Sequence, residues 1–114
     1  MKYGFGIDLG GTTVKLAFFN AEGKMLHKWE IPTRPENGGE HILPDIAASV
    51  KEYMDKENLT NEQIIGIGIG VPGPVSDAGI VNKCVNLGWG ITDLHGDLSV
   101  LTGLHVKGGN DANV

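Results

Sequence analysis

The residue types best suited to chemistry in this sequence begin at Asp8 and run through Leu9, Gly10, Gly11, Thr12 and Thr13. Glycine at 10 and 11 is expected to let a turn adopt φ > 0 and to let another molecule's atoms come close to the backbone. The N–H groups of such a turn can point together into an anion-binding nest, with the Thr12 and Thr13 hydroxyls beside them. Asp8, on the strand just before the turn, is then positioned to hold a magnesium ion, directly or through water. A carboxylate beside a Gly/Thr turn suits a nucleotide's phosphates and their metal. The same spacing reads equally as an ordinary hairpin with a buried, capped aspartate, because short glycine motifs are weakly specific.

Two further polar stretches carry candidate chemistry: Pro72-Gly73-Pro74 and Asn110-Asp111-Ala112-Asn113. An Asn amide can hydrogen-bond a sugar hydroxyl, and an Asp carboxylate can accept a proton from one. The alternative for Asp111 is a helix N-cap, where an Asx side chain satisfies orphan N–H groups.

The elements that must position these groups follow from periodicity. Tyr3, Phe5, Ile7 and Leu9 alternate with Gly4, Gly6 and Asp8, and Val14, Leu16 and Phe18 alternate with Lys15, Ala17 and Phe19, so a hairpin of two strands is expected. A turn over 21–24 leads to a third strand, Met25 to Ile31, followed by a loop from Pro32 to Gly39. Apolar residues from Ile42 to Met54 recur at helical spacing, giving a helix from about Glu40 to Lys56 with Pro44 in its first turn. Thr60 to Gln63 has capping-box spacing. Ile64 to Val71 is nearly continuous and apolar, which suits a central parallel strand, its glycines letting a helix pack close. Val75 to Val81 reads as a short hairpin and Asn82 to Gly90 as a surface loop. Leu94, Leu98 and Leu101 mark a short helix ending near Gly103. Leu104 to Lys107 is a last strand, and Gly108 to Asn113 a polar turn. The resulting order predicts an α/β domain: an antiparallel meander, then parallel strands, with helices packed on one mixed sheet. Ligands bind beyond the carboxyl ends of parallel strands in such sheets, so Asp8 with its turn, the Pro72 segment and Asn110-Asp111 are expected to meet at one cleft.

Composition narrows the function. The chain of 114 residues suits one domain. A net charge of -5 with no basic run argues against nucleic acid or an anionic membrane as the main partner. The single cysteine, Cys84, forms no internal disulfide and suits a reducing cytoplasm. His27, His41, His95 and His105 lack metal-ligand spacing. Glycine is the outlier at 18 residues, concentrated at strand ends and turns, as in an enzyme that presses its backbone against a ligand.

Asp8-Leu9-Gly10-Gly11-Thr12-Thr13-Val14-Lys15, Gly68-Ile69-Gly70-Val71-Pro72-Gly73-Pro74-Val75, Asn86-Leu87-Gly88-Trp89 and Asn110-Asp111-Ala112-Asn113 occur in that order. Together they resemble the N-terminal domain of the ROK sugar kinases, most closely the bacterial glucokinases of the Gram-positive type. The resemblance implies a ribonuclease H-like domain of the actin-like ATPase superfamily. It implies an ATP-dependent hexose kinase in which Asp8, Gly10, Gly11, Thr12 and Thr13 bind the nucleotide, with Asp8 near Mg²⁺. Gly73, Pro74, Asn86 and Asn110 would contact the hexose, and Asp111 would be the general base that takes the proton of the sugar's 6-hydroxyl. A second phosphate loop, further sugar ligands, a zinc motif and homodimer contacts are then expected in a C-terminal half not contained in these residues. A fragment of this extent is expected to be inactive alone. A sugar-responsive repressor of the same family would carry a DNA-binding segment before the hairpin, where only Met1 and Lys2 stand.

Overall fold

The computed structural model describes residues 2–34, 36–71, 80–81 and 92–110. Three strands open the chain: β1 (Tyr3–Leu9), β2 (Thr13–Asn20) and β3 (Met25–Pro32). They form the expected antiparallel meander, with Leu9 opposite Val14 at the first turn and Val14 opposite Ile31 beyond it. The alternation seen in sequence is the alternation of faces: Phe5, Ile7, Leu9, Val14, Leu16 and Phe18 are buried, whereas Asp8 and Lys15 are exposed. At the second turn the Asn20 side chain accepts the N–H groups of Glu22 and Lys24 at 3.1 and 2.9 Å, and Gly23 supplies φ +83°.

A helical turn, α1 (Glu36–Gly39), lies in the stretch expected to be pure loop. Its Glu-Asn-Gly-Gly composition carries no helical signal. The long helix α2 (Ile42–Lys56) starts two residues later than expected and places Pro44 in its first turn, where the missing N–H costs nothing. Ile42, Leu43, Ile46, Ala47, Val50 and Met54 face the sheet's apolar side. The Trp29 indole N–H donates to Ser49 Oγ at 2.8 Å, pinning α2 to β3. Gln63 Oε1 accepts the Thr60 N–H at 2.9 Å at the start of a short 3₁₀ turn, in the capping box read from the sequence.

β4 (Ile64–Val71) runs parallel to β1, with Phe5 beside Ile67 and Ile7 beside Ile69. Its side chains divide differently from the expectation. Ile67 and Ile69 join the buried cluster under the helices, while Gly66 and Gly68 share the opposite face with Gly4 and Gly6. A Cβ placed on Gly4 or Gly68 would meet only neighbouring strand backbone within 4 Å, so these glycines make no room for a described helix.

β5 (Ile80–Val81) pairs antiparallel with β6 (Thr92–Asp93), a partnership the expected local hairpin did not include. Residues 75–79 and 82–91 lie outside the described residues. Asp93 caps α3 (Leu94–Thr102) by accepting the Gly96 N–H at 3.0 Å, and Gly103 ends it at φ +72°. The last strand, β7 (Val106–Asn110), is longer than expected: Gly108, Gly109 and Asn110 continue the parallel ladder beside β4 and are not a turn. The five-stranded sheet has the order β3-β2-β1-β4-β7, the α/β, ribonuclease H-like arrangement implied by the motifs.

Candidate active site at the carboxyl ends of the parallel strands

The carboxyl ends of β1, β4 and β7 lie together because all three strands run the same way in one sheet. Asp8 stands beside Gly70, Gly70 beside Gly109, and Val71 beside Asn110. With strands about 4.8 Å apart, the backbone leaving β1 and the backbone leaving β7 are separated by roughly 10 Å. β4 lies between them, so the two strand ends flank the end of β4. Asn110 is therefore placed at the same sheet end as the Gly10–Thr13 turn.

The turn itself is built by three backbone-directed contacts. The Gly10 N–H donates to the Thr13 carbonyl at 3.0 Å. The Thr33 hydroxyl donates to the Gly10 carbonyl at 2.7 Å, and the Thr33 N–H donates to the Thr12 carbonyl at 2.9 Å. Neither Gly10 nor Gly11 has positive φ, contrary to the expectation from their residue type. Glycine is required at 10 for a different reason: a Cβ there would stand 2.9 Å from the Thr13 carbonyl oxygen. Among the described residues the N–H groups of Gly11 and Thr12 have no acceptor. Unpartnered N–H groups on a tight turn are donors for an anion.

Asp8 is exposed, which removes the buried, capped aspartate as a reading. It sits on the face of the sheet away from the helices, in a cross-strand row with Lys15 and Glu30. A groove of about 570 Å³ on this face is lined by Asp8, Lys15 and Glu30 at one end and by Phe19 and Met25 at the other. No ion pair among the described residues engages Asp8. Nor do the described residues contain a cluster of three or more His, Cys, Asp or Glu able to hold a metal unaided. One carboxylate beside a turn with two unpartnered N–H groups fits Mg²⁺ in the form that ion prefers, held mostly by phosphate oxygens and water.

Behind the turn, Arg34 grips Asp45 at the start of α2 with two bonds, Nε to Oδ2 at 2.7 Å and Nη2 to Oδ1 at 2.6 Å. The hydrogen bond from Arg34 holds the Asp45 carboxyl below its usual range, and Asp45 in turn raises the Arg34 guanidinium. This pair fixes the segment that carries Thr33. Sequence reasoning missed Thr33, because a Thr between two prolines twenty-odd residues from the turn carries no spacing signal.

Of the residues read from the sequence as candidates, the structure brings Asp8, Gly10, Gly11, Thr12 and Thr13 together and sets the Asn110 backbone at the same sheet end. Gly73, Pro74, Asn86 and Asp111 lie outside the described residues. No described helix is long and apolar enough to cross a membrane.

Known proteins share this arrangement. A profile of the ROK family matches residues 4–114. A glucokinase from Halalkalibacterium halodurans is 39% identical over 110 residues, which cover 96% of this chain and 33% of that protein. An N-acetyl-D-glucosamine kinase from Haemophilus influenzae is 33% identical, with 96% of this chain and 34% of the relative covered. The crystal structure of a ROK family glucokinase from Streptomyces griseus in complex with glucose and AMPPNP superposes with a TM-score of 0.81 at 28% identity, covering 97% of this chain and 34% of that one. The chain thus spans about a third of the length of the relatives it matches. With the glycine-threonine turn, the parallel strand ends and a profile that runs over nearly every residue all in agreement, the chain belongs to the ROK family.

Proposed function

We propose that this chain is the N-terminal, nucleotide-binding domain of a two-domain, ATP-dependent hexose kinase that converts glucose to glucose 6-phosphate. The observation that carries the reading is the register at the sheet end: Asp8 and the Gly10–Thr13 turn on β1, and Asn110 on β7, leave the sheet in the same direction with one strand between them. A phosphate-binding turn and a sugar-binding strand end set this far apart suit a transfer between two bound small molecules.

In this reading the Gly11 and Thr12 N–H groups and the Thr12 and Thr13 hydroxyls hold the phosphates of ATP. Asp8 holds Mg²⁺, which when bound would neutralise phosphate charge. Gly73, Pro74, Asn86 and Asn110 orient the hexose. Asp111 accepts the proton of the 6-hydroxyl as its oxygen attacks the γ-phosphorus and the bond to the β,γ-bridging oxygen breaks, ADP leaving. Positioning and charge stabilisation supply most of the rate in phosphoryl transfer, and a general base contributes about 10²–10⁴-fold. The remaining sugar ligands, a second phosphate loop, a structural zinc motif and homodimer contacts belong to the C-terminal domain of such an enzyme, which would work in the cytoplasm.

Glucose is favoured over N-acetylated hexosamines because the glucokinase from Halalkalibacterium halodurans is more similar at 39% identity than the N-acetyl-D-glucosamine kinase from Haemophilus influenzae at 33%. The test is a coupled assay of ADP release by the full-length protein with glucose, fructose, mannose and N-acetylglucosamine. The highest kcat/KM is expected with glucose. A preference for N-acetylglucosamine would replace the acceptor, and turnover with none of the four would overturn the kinase reading.

A further inference from the structure

We propose that Thr33 is a positioning residue for the nucleotide turn, setting the direction of the N–H groups that meet the phosphates. The proposal rests on the nucleotide-binding reading above. Thr33 follows the last residue of β3 and is the one described residue outside the turn that holds two of its carbonyls, those of Gly10 and Thr12, at 2.7 and 2.9 Å. The described peptides are all trans. In a trans peptide the carbonyl of one residue and the N–H of the next point in opposite directions. Holding the Gly10 carbonyl toward β3 therefore turns the Gly11 N–H, one of the two donors assigned to the phosphates, away from β3, while the bond to the Thr12 carbonyl keeps the end of the turn against β3. Thr33 thus aims a donor at a ligand without touching the ligand itself.

Two features make this a defined geometry rather than a loose contact. Thr33 is partly buried, and its neighbour Arg34 is locked to α2 through the two-bond pair with Asp45. The acceptor side is equally constrained, because Gly10 is already hydrogen-bonded to Thr13 across the turn. Loss of the Thr33 hydroxyl leaves the β3–β2 ladder contact from its N–H intact and releases only the Gly10 peptide. Preorganised donors lose their advantage when their peptide plane is free to rotate.

The experiment uses the full-length protein and three forms: wild type, Thr33→Val, which keeps shape and branching but has no hydroxyl, and Thr33→Ser, which restores the donor. Mg·ATP and hexose KM values are measured separately, alongside equilibrium binding of Mg·ADP. For Thr33→Val, KM for Mg·ATP and Kd for Mg·ADP are expected to rise roughly tenfold, the size of effect one lost hydrogen bond can produce. The hexose KM should stay within about twofold, and Thr33→Ser should return nucleotide binding to near wild type. Unchanged nucleotide constants in Thr33→Val would overturn the proposal, as would an equal rise in both substrates' KM or a failure of Thr33→Ser to restore binding. If the wild type binds Mg·ADP but phosphorylates no hexose, the kinase reading fails while the binding arm still decides the role of Thr33. If the wild type binds no nucleotide, both fall.

Discussion

A Cβ on Gly10 would stand 2.9 Å from the carbonyl oxygen of Thr13, the same oxygen that accepts the Gly10 N–H at 3.0 Å. Backbone meets backbone here, so no flexible side chain can move aside. Gly10→Ala must open the turn, and is expected to cost about 1–3 kcal/mol of stability by overpacking. It should also weaken Mg·ATP binding roughly tenfold by misdirecting the turn's donors. Gly23→Ala is the control. Its φ of +83° makes alanine strained, yet nothing lies within 4 Å of the added Cβ. That change should cost about 1 kcal/mol and leave nucleotide binding alone. Urea midpoints and nucleotide titrations of the two variants check the contrast.

The Arg34–Asp45 pair gives a pH dependence with a definite sign. Arg34 lowers the folded-state pKa of Asp45 below the ordinary 3.8. Its contribution to stability is therefore fully present above that ordinary value and is lost as pH falls through the depressed folded value. The raised pKa of Arg34 acts only in strong alkali and leaves the neutral range untouched. The stability difference between wild type and Asp45→Asn should be small, constant from about pH 5 to 8, and vanish in acid below 3.8. Urea denaturation at a series of pH values measures it; a difference that grew in acid would contradict the assignment.

Trp29 ties the edge strand to α2 in two ways. Its indole N–H donates to Ser49 Oγ at 2.8 Å, and its ring stacks on Tyr53 with centroids 4.9 Å apart and planes 15° from parallel. Trp29→Phe keeps an aromatic ring and removes the donor, so a loss of about 0.5–1.5 kcal/mol is expected. Adding Ser49→Ala to Trp29→Phe should cost little more, because the shared hydrogen bond is already gone. A thermal or chemical denaturation cycle over the four proteins tests this coupling.

The meander was legible in the sequence because burial alternates with residue type from Tyr3 to Phe18, so pattern and face coincide. The α2 helix was legible for the same reason at a period of 3.6. Glycine misled in three places, each time because a residue without a side chain reports nothing about direction. Gly10 and Gly11 suggested positive φ, but the turn needs only the missing Cβ of Gly10. Gly66 and Gly68 suggested a helix packed close, but they share their face with Gly4 and Gly6 on the side away from the described helices. Gly108 and Gly109 suggested a turn, but partners on β4 extend the strand through Asn110. The β5–β6 pairing joins Ile80 to Asp93 and Val81 to Thr92 across a stretch that lacks a hairpin turn signal, and so no local pattern announces it. The turn after β1 was readable from its motif residues. Thr33 was not, since its importance comes from two carbonyls that only the folded chain brings to it.

That the turn after β1 and the residues after β7 serve one reaction is tested most directly by the turnover number of Asp111→Asn. This change keeps the side chain's shape and removes the proton acceptor beside Asn110. In the full-length protein, kcat for Mg·ATP-dependent glucose phosphorylation is expected to fall roughly 10²-fold or more, with little change in glucose KM. A kcat equal to that of the wild type would mean that Asp111 takes no proton, and that the ends of β1 and β7 do not work together.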